Sequence, residues 1–124
     1  NMTGLLVDVK KDCVKLIEVT NRYSCSVWIG CKEEYIEIIS RKIDGKKYKV
    51  VCDNKALLRD NPIISALNEN LHPMLMGNLI ILADEDGEDA SLKVDDLLDL
   101  KDCIGQMFSD RKPDGYPVVC WMER

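Results

Sequence analysis

Apolar and polar residues change period along this chain, and each change marks an element. In "GLLVDVKKDCVKLIEVT", Leu5, Val7 and Val9 alternate with Leu6, Asp8 and Lys10. After a polar "KKDC", the run Val14, Leu16, Ile17 and Val19 is interleaved with Lys15 and Glu18. Alternation of this kind places successive side chains on opposite faces, so the segment predicts an opening hairpin. In "NRYSCSVWIGCKE" the step lengthens: Tyr23, Val27 and Cys31 recur every fourth residue, with Trp28 beside them. That spacing predicts a short helix, with Asn21 as its cap and Gly30 at its end.

"EYIEIISRKIDGKKYKVVCDN" carries two β-rich runs around Asp44-Gly45. The dipeptide tolerates the positive φ angles of a tight hairpin turn, so a second hairpin is expected. Tyr48, Val50 and Cys52 should form one face of its return strand, and Lys47 and Lys49 the wetter one. In "NPIISALNENLHP", Pro62 after Asn61 suits a first helical turn. Ile63, Ile64 and Leu67 would be the apolar stripe, ended by Asn68, Asn70 and Pro73. "MGNLIILA" is a continuous apolar run of strand length, the mark of a central strand covered on both faces. "SLKVDDLLDLKDCIGQMFSDRK" reads as a helix whose apolar face holds Leu97, Leu98, Ile104 and Phe108, with Val94 and Leu100 at its edges. Asp95 and Asp96 lie at its positive end, and Arg111 and Lys112 at the other. "PDGY" predicts a turn and "PVVCWM" a last strand.

The expectation is one α+β domain over residues 2–124: a mainly antiparallel sheet with two or three short helices packed on it. Asn1, ahead of Met2, reads as a cloning remnant. A chain of 124 residues buries enough surface to fold without a metal or disulfide. Net charge is −5, which argues against a broadly basic surface for nucleic acid. No stretch approaches the roughly 20 apolar residues of a membrane span, and no signal peptide opens the chain. Cys13, Cys25, Cys31, Cys52, Cys103 and Cys120 are therefore expected to be reduced, packed thiols in a cytoplasmic setting.

"ILADEDGEDASL" is the most charged stretch. An EF-hand loop places glycine sixth and a bidentate glutamate twelfth. Counting from Gly87 puts Leu82 first and Lys93 twelfth, and neither is a calcium ligand. A catalytic pair among Asp84, Asp86, Glu88 and Asp89 would need burial or a fixed separation to split its pKa values. The preferred reading is a solvated turn that sets acids ahead of the following helix.

His72, the one histidine, stands in "NLHPM" with no thiol near it in sequence. Cys25 and Cys31 lack the close paired spacing of zinc ligands. Phosphate-binding glycine loops, G-x-S-x-G and H-E-x-x-H are absent. No catalytic, cofactor-binding or metal-binding residue is assigned, and no cofactor is expected. Arg41, Lys42, Lys46, Lys47 and Lys49 cluster around Tyr48. They read as a solvated hairpin edge in preference to a nucleic-acid contact. Trp121 and Met122 should pack into their own sheet, although a terminal strand also offers a route to a homodimer.

The order of elements resembles a small family of bacteria, their phages and mobile elements, the domain of unknown function thirty-eight forty-six. The resemblance runs from "GLLVDVKK" to "KDCI". It includes "YIEII", "VVCDN" followed by Ala56 and Leu57, "NPIISALN" as an Asn-led helical stretch, "MGNLIIL" with Gly77, and an acidic glycine turn before "SL". Lys93 stands where the family often has a capping threonine. "RKIDGKK" is longer than usual, and the tail beyond Ser109 has no counterpart. The family carries no established activity, so the resemblance implies a fold and a genomic setting. The functional expectation is a non-enzymatic protein-interaction or accessory domain of phage or mobile-element origin. The alternatives are an acidic inhibitor that mimics DNA against a host nucleic-acid enzyme, and a Cys/His-based enzyme.

Overall fold

A computed structural model describes residues 1–109 and 119–123. In chain order the elements are β1 (Met2–Asp8), β2 (Cys13–Val19), α1 (Arg22–Ile29), β3 (Ile36–Ile43), β4 (Lys46–Asp53), β5 (Ile64–Leu67), β6 (Pro73–Met76), β7 (Leu79–Glu85), β8 (Glu88–Ala90), α2 (Val94–Ser109) and β9 (Cys120–Trp121). The larger sheet runs β2-β1-β7-β4-β3, with β8 paired to β7, and all its pairings are antiparallel. A smaller sheet runs β6-β5-β9. The fold is α+β and mainly antiparallel, as expected.

β7 explains the continuous apolar run. Ile81 pairs with Leu5 of β1 on one side and Val50 of β4 on the other. Both faces are covered, so Leu79 to Leu82 are all buried. One face carries Leu6, Ile17, Val51, Ile80 and Leu82 beneath Cys25 and Ile29 of α1. The other carries Leu5, Val7, Tyr48, Val50 and Ile81 beneath Leu100 and Ile104 of α2 and Ala66 and Cys120 of the small sheet. Asn78 ties the layers: its Oδ1 accepts from the Val9 amide at 3.0 Å, and its Nδ2 donates to the Trp28 carbonyl at 3.2 Å.

α1 has the expected ends. Asn21 Oδ1 accepts from the Ser24 amide at 2.9 Å, Ser24 Oγ accepts from the Asn21 amide, and Gly30 is left-handed. Its buried face differs. Tyr23 and Val27 are exposed, and the rival four-step pair Cys25 and Ile29 faces the core. α2 is likewise rotated from its expected setting. Leu100 and Ile104 are fully buried and Leu98 is exposed, because Asp96, one turn before Leu100, also turns inward. The side chain of Phe108 and the "PDGY" turn lie outside the described residues.

Residues 61–68 are not a helix. Asn61 has φ of 53°, left-handed, whereas an N-cap needs extended backbone. Residues 64–67 form β5, where Ala66 pairs with Leu75 of β6 and, in parallel, with Cys120 of β9. Leu75 lies just across a hairpin and Cys120 far along the chain, and pairing on both edges overrides the local helical spacing.

Candidate functional site

The acidic stretch is a hairpin. Asp86 and Gly87 both have positive φ, and the chain returns as β8 before α2 begins. The expected direct passage from strand to helix is therefore corrected. Glu85, Asp86 and Glu88 face solvent, but Asp84 does not. Its side chain is 9% exposed, its Oδ1 accepts from the Gly87 amide at 2.7 Å, and Lys49 Nζ lies 3.9 Å from Oδ2. Asp84 thus closes the turn and meets a cation of its own sheet. Among the described residues no group of three or more His, Cys, Asp or Glu is placed to hold a metal ion.

The basic cluster is divided by the two-residue period of its strands. Lys42 pairs with Lys47 across the hairpin, and Lys46 bonds Asp96 of α2. Tyr48, the aromatic that would stack on a base, is fully buried under α2. The hairpin therefore presents lysines without an accessible ring.

The C-terminal segment is seated inside its own chain. The Met122 amide donates to the Leu67 carbonyl of β5 at 2.8 Å, and the Glu123 amide to the Lys42 carbonyl of β3 at 2.7 Å. Successive amides thus reach opposite sides, and the segment joins the small sheet to the edge of the large one. Beside this junction opens a cavity of about 740 Å³. Its walls come from four places in the chain: Asp44 of the β3–β4 turn, Asn68, Glu69, Asn70 and His72 at the β5–β6 turn, Asp102 and Cys103 of α2, and Trp121, Met122 and Glu123.

Asn68 builds one wall. Its Oδ1 accepts from the amides of Asn70 (2.9 Å) and His72 (3.0 Å), which holds Glu69, Asn70 and His72 around the opening. Glu123 Oε2 accepts from the Gly45 amide and fixes the opposite rim beside Asp44.

The lone imidazole and a thiol are therefore brought to one recess, a meeting the sequence did not disclose. No hydrogen bond joins them among the described residues. Burial first, and then the carboxylates of Asp44, Asp102, Asp99 and Glu123, push the Cys103 thiol up. A nucleophilic cysteine needs the opposite field, which favours thiolate. Buried Tyr48 shares these surroundings: burial and then Asp96, Asp99, Cys103 and Asp44 push its phenol up. All six cysteines are free, and burial likewise raises Cys25, Cys31, Cys52 and Cys120.

A second cleft, of about 510 Å³, separates β6 from β3 and β4. Ile39, Met74, Leu75 and Met76 line it with Arg41, Glu37 and Cys52, and burial followed by Glu37 pushes that thiol up, away from a nucleophilic thiolate. No helix among the described residues is long and apolar enough to cross a membrane. Comparison of the chain with protein-family models, with curated proteins and with solved structures finds no match.

Proposed function

We propose that this chain is a non-enzymatic binding domain whose working surface is the cavity between α2, the β5–β6 turn and the C-terminal segment. The carrying observation is electrostatic. The one thiol that lines this recess with the one imidazole is half-buried and sits among carboxylates, and burial first, then those charges, keep its proton on. Such a recess favours binding over nucleophilic chemistry. The resemblance in element order adds an accessory role in a phage or mobile element, and reduced thiols suit a cytoplasmic setting.

A second reading, an acidic inhibitor of a nucleic-acid enzyme, draws on α2. Asp95, Asp99 and Asp102 are all exposed, at spacings of four and three residues that share one helix face. Both readings place a protein against this side of the molecule.

Thiol-reactivity profiling on the folded protein tests the non-enzymatic reading. Near pH 7, Cys103 should label more slowly than an unstructured cysteine. Labelling far faster than that of the other five thiols would replace it with a Cys/His enzyme.

A further inference from the structure

We infer that the cavity and the adjoining face of α2 form a docking site for a basic polypeptide segment, which places one arginine or lysine side chain in the cavity beside Trp121. This rests on the binding-domain reading above and names the chemistry of its partner.

Three independent features converge on it. The first is shape: the cavity, about 740 Å³, exceeds the volume of one long side chain and opens onto the surface. The second is charge without compensation. Asp44, Glu69, Asp102 and Glu123 face the recess, and among the described residues none of them forms a salt bridge with a lysine or arginine. Among the described residues, the acids that do have lysine or arginine partners, Asp53, Asp84 and Asp96, lie outside its lining. The third is the aromatic wall. Trp121 is half-buried in the lining, and strand pairing to Leu67 fixes its backbone, so the indole is offered at the cavity from a set position.

A guanidinium or ammonium satisfies all three at once. It stacks on the indole, meets carboxylates, and leaves its aliphatic stem against Met122. The acidic face of α2 continues the site outward, since Asp95, Asp99 and Asp102 follow one another along the helix. Further basic residues of the same segment would lie over them. Among the described lining residues there is no lysine or arginine to meet a small anion or an acidic peptide.

The test uses a fluorescein-labelled oligo-arginine peptide, an oligo-glutamate peptide as control, and fluorescence anisotropy at near-physiological salt. In a Trp28→Phe background, Trp121 is the only indole and reports occupancy of the cavity. Saturable oligo-arginine binding with a change in Trp121 emission is expected, and no binding of oligo-glutamate. The variant Glu69→Gln/Asp102→Asn should weaken binding roughly tenfold, while Asp86→Asn/Glu88→Gln at the β7–β8 tip should alter it less than about twofold. These side chains are exposed, so the fold is retained, which thermal unfolding checks.

Equal weakening by the two double variants would mean diffuse attraction and overturn the site. So would absence of saturable binding, or a dimer in sedimentation that the cavity variant abolishes. Cys103 labelling on the same samples separates the two levels. A slow thiol with no peptide binding overturns only the partner chemistry, whereas a fast thiol overturns the binding-domain reading itself.

Discussion

Lys46, the first residue of β4, holds the carboxylate of Asp96 in the first turn of α2, fifty residues further along the chain. The same carboxylate accepts from the Lys93 amide at 2.8 Å. Lys93 stands just before α2 and its side chain cannot accept a hydrogen bond, so Asp96 supplies the cap from inside the helix. One buried acid thereby seals the helix end and fastens it to the large sheet.

This pair should govern part of the pH dependence of stability. Burial alone would raise the Asp96 carboxyl, but the bonds from Lys46 and Lys93 outweigh it and hold it below its ordinary value of 3.8. A carboxyl depressed on folding contributes fully above its unfolded value and is lost as pH falls below about 3.8. On the other side, the bond to Asp96 raises Lys46 above 10.5, so its contribution is full below that value and fades as pH rises past it. Asp96→Ala should cost about 1–3 kcal/mol at neutral pH, as a cap and a buried bond are lost together. Lys46→Met should cost about 1 kcal/mol, since the lysine side chain is 50% exposed. Urea unfolding across pH measures both, and an acid limb unchanged in Asp96→Asn would refute the assignment.

Gly4 should not accept a methyl group. A Cβ there would lie 2.9 Å from both Ile80 Cγ2 and Leu82 Cδ2, and 3.3 Å from the Ile81 carbonyl oxygen. Those side chains belong to the fully covered central strand, and the carbonyl cannot rotate away. Gly4→Ala is expected to destabilise by about 1–3 kcal/mol through overpacking. Denaturant titration decides it, and a neutral result would mean that β1 lies farther from β7.

Tyr48→Phe should be neutral or stabilising by up to about 1 kcal/mol. The phenol oxygen is fully buried and makes no hydrogen bond among the described residues, so removing it relieves a desolvation cost and leaves the ring in place. A loss above about 1 kcal/mol in thermal unfolding would reveal a partner for the hydroxyl.

Cys52 and Cys120 should resist alkylation until the protein unfolds. Burial, then Glu37, pushes Cys52 up to about 11, against an ordinary 9.0. Its thiolate fraction at neutral pH therefore falls about a hundredfold below that of a free cysteine. Mass-spectrometric mapping of maleimide adducts, with and without denaturant, checks this. Rapid labelling of either thiol in the folded state would contradict their burial.

The parts of this protein that were legible in its sequence are those decided within a few residues. Asp44-Gly45 specifies a hairpin because the dipeptide accepts positive φ, and the same chemistry at Asp86-Gly87 produces a second hairpin that sequence reading took for a strand-to-helix turn. Asn21 and Gly30 delimit α1 through their own backbone and side-chain bonds. The apolar run 79–82 announces a strand covered on both sides. Residues 61–68 were not legible, because their spacing suits a helix and only pairing with β6 and β9 selects the strand. The buried faces of α1 and α2 were ambiguous for a related reason. Each helix carries two plausible apolar stripes, and contacts such as Lys46 with Asp96 choose between them. The cavity lay furthest from reach: Asp44, Glu69, Asp102 and Trp121 have no common spacing. Their proximity exists only once long-range pairing has brought a hairpin turn, a helix and the final strand to one corner. Local rules act over a turn of chain, whereas a binding recess is made by surfaces that the chain joins only in three dimensions.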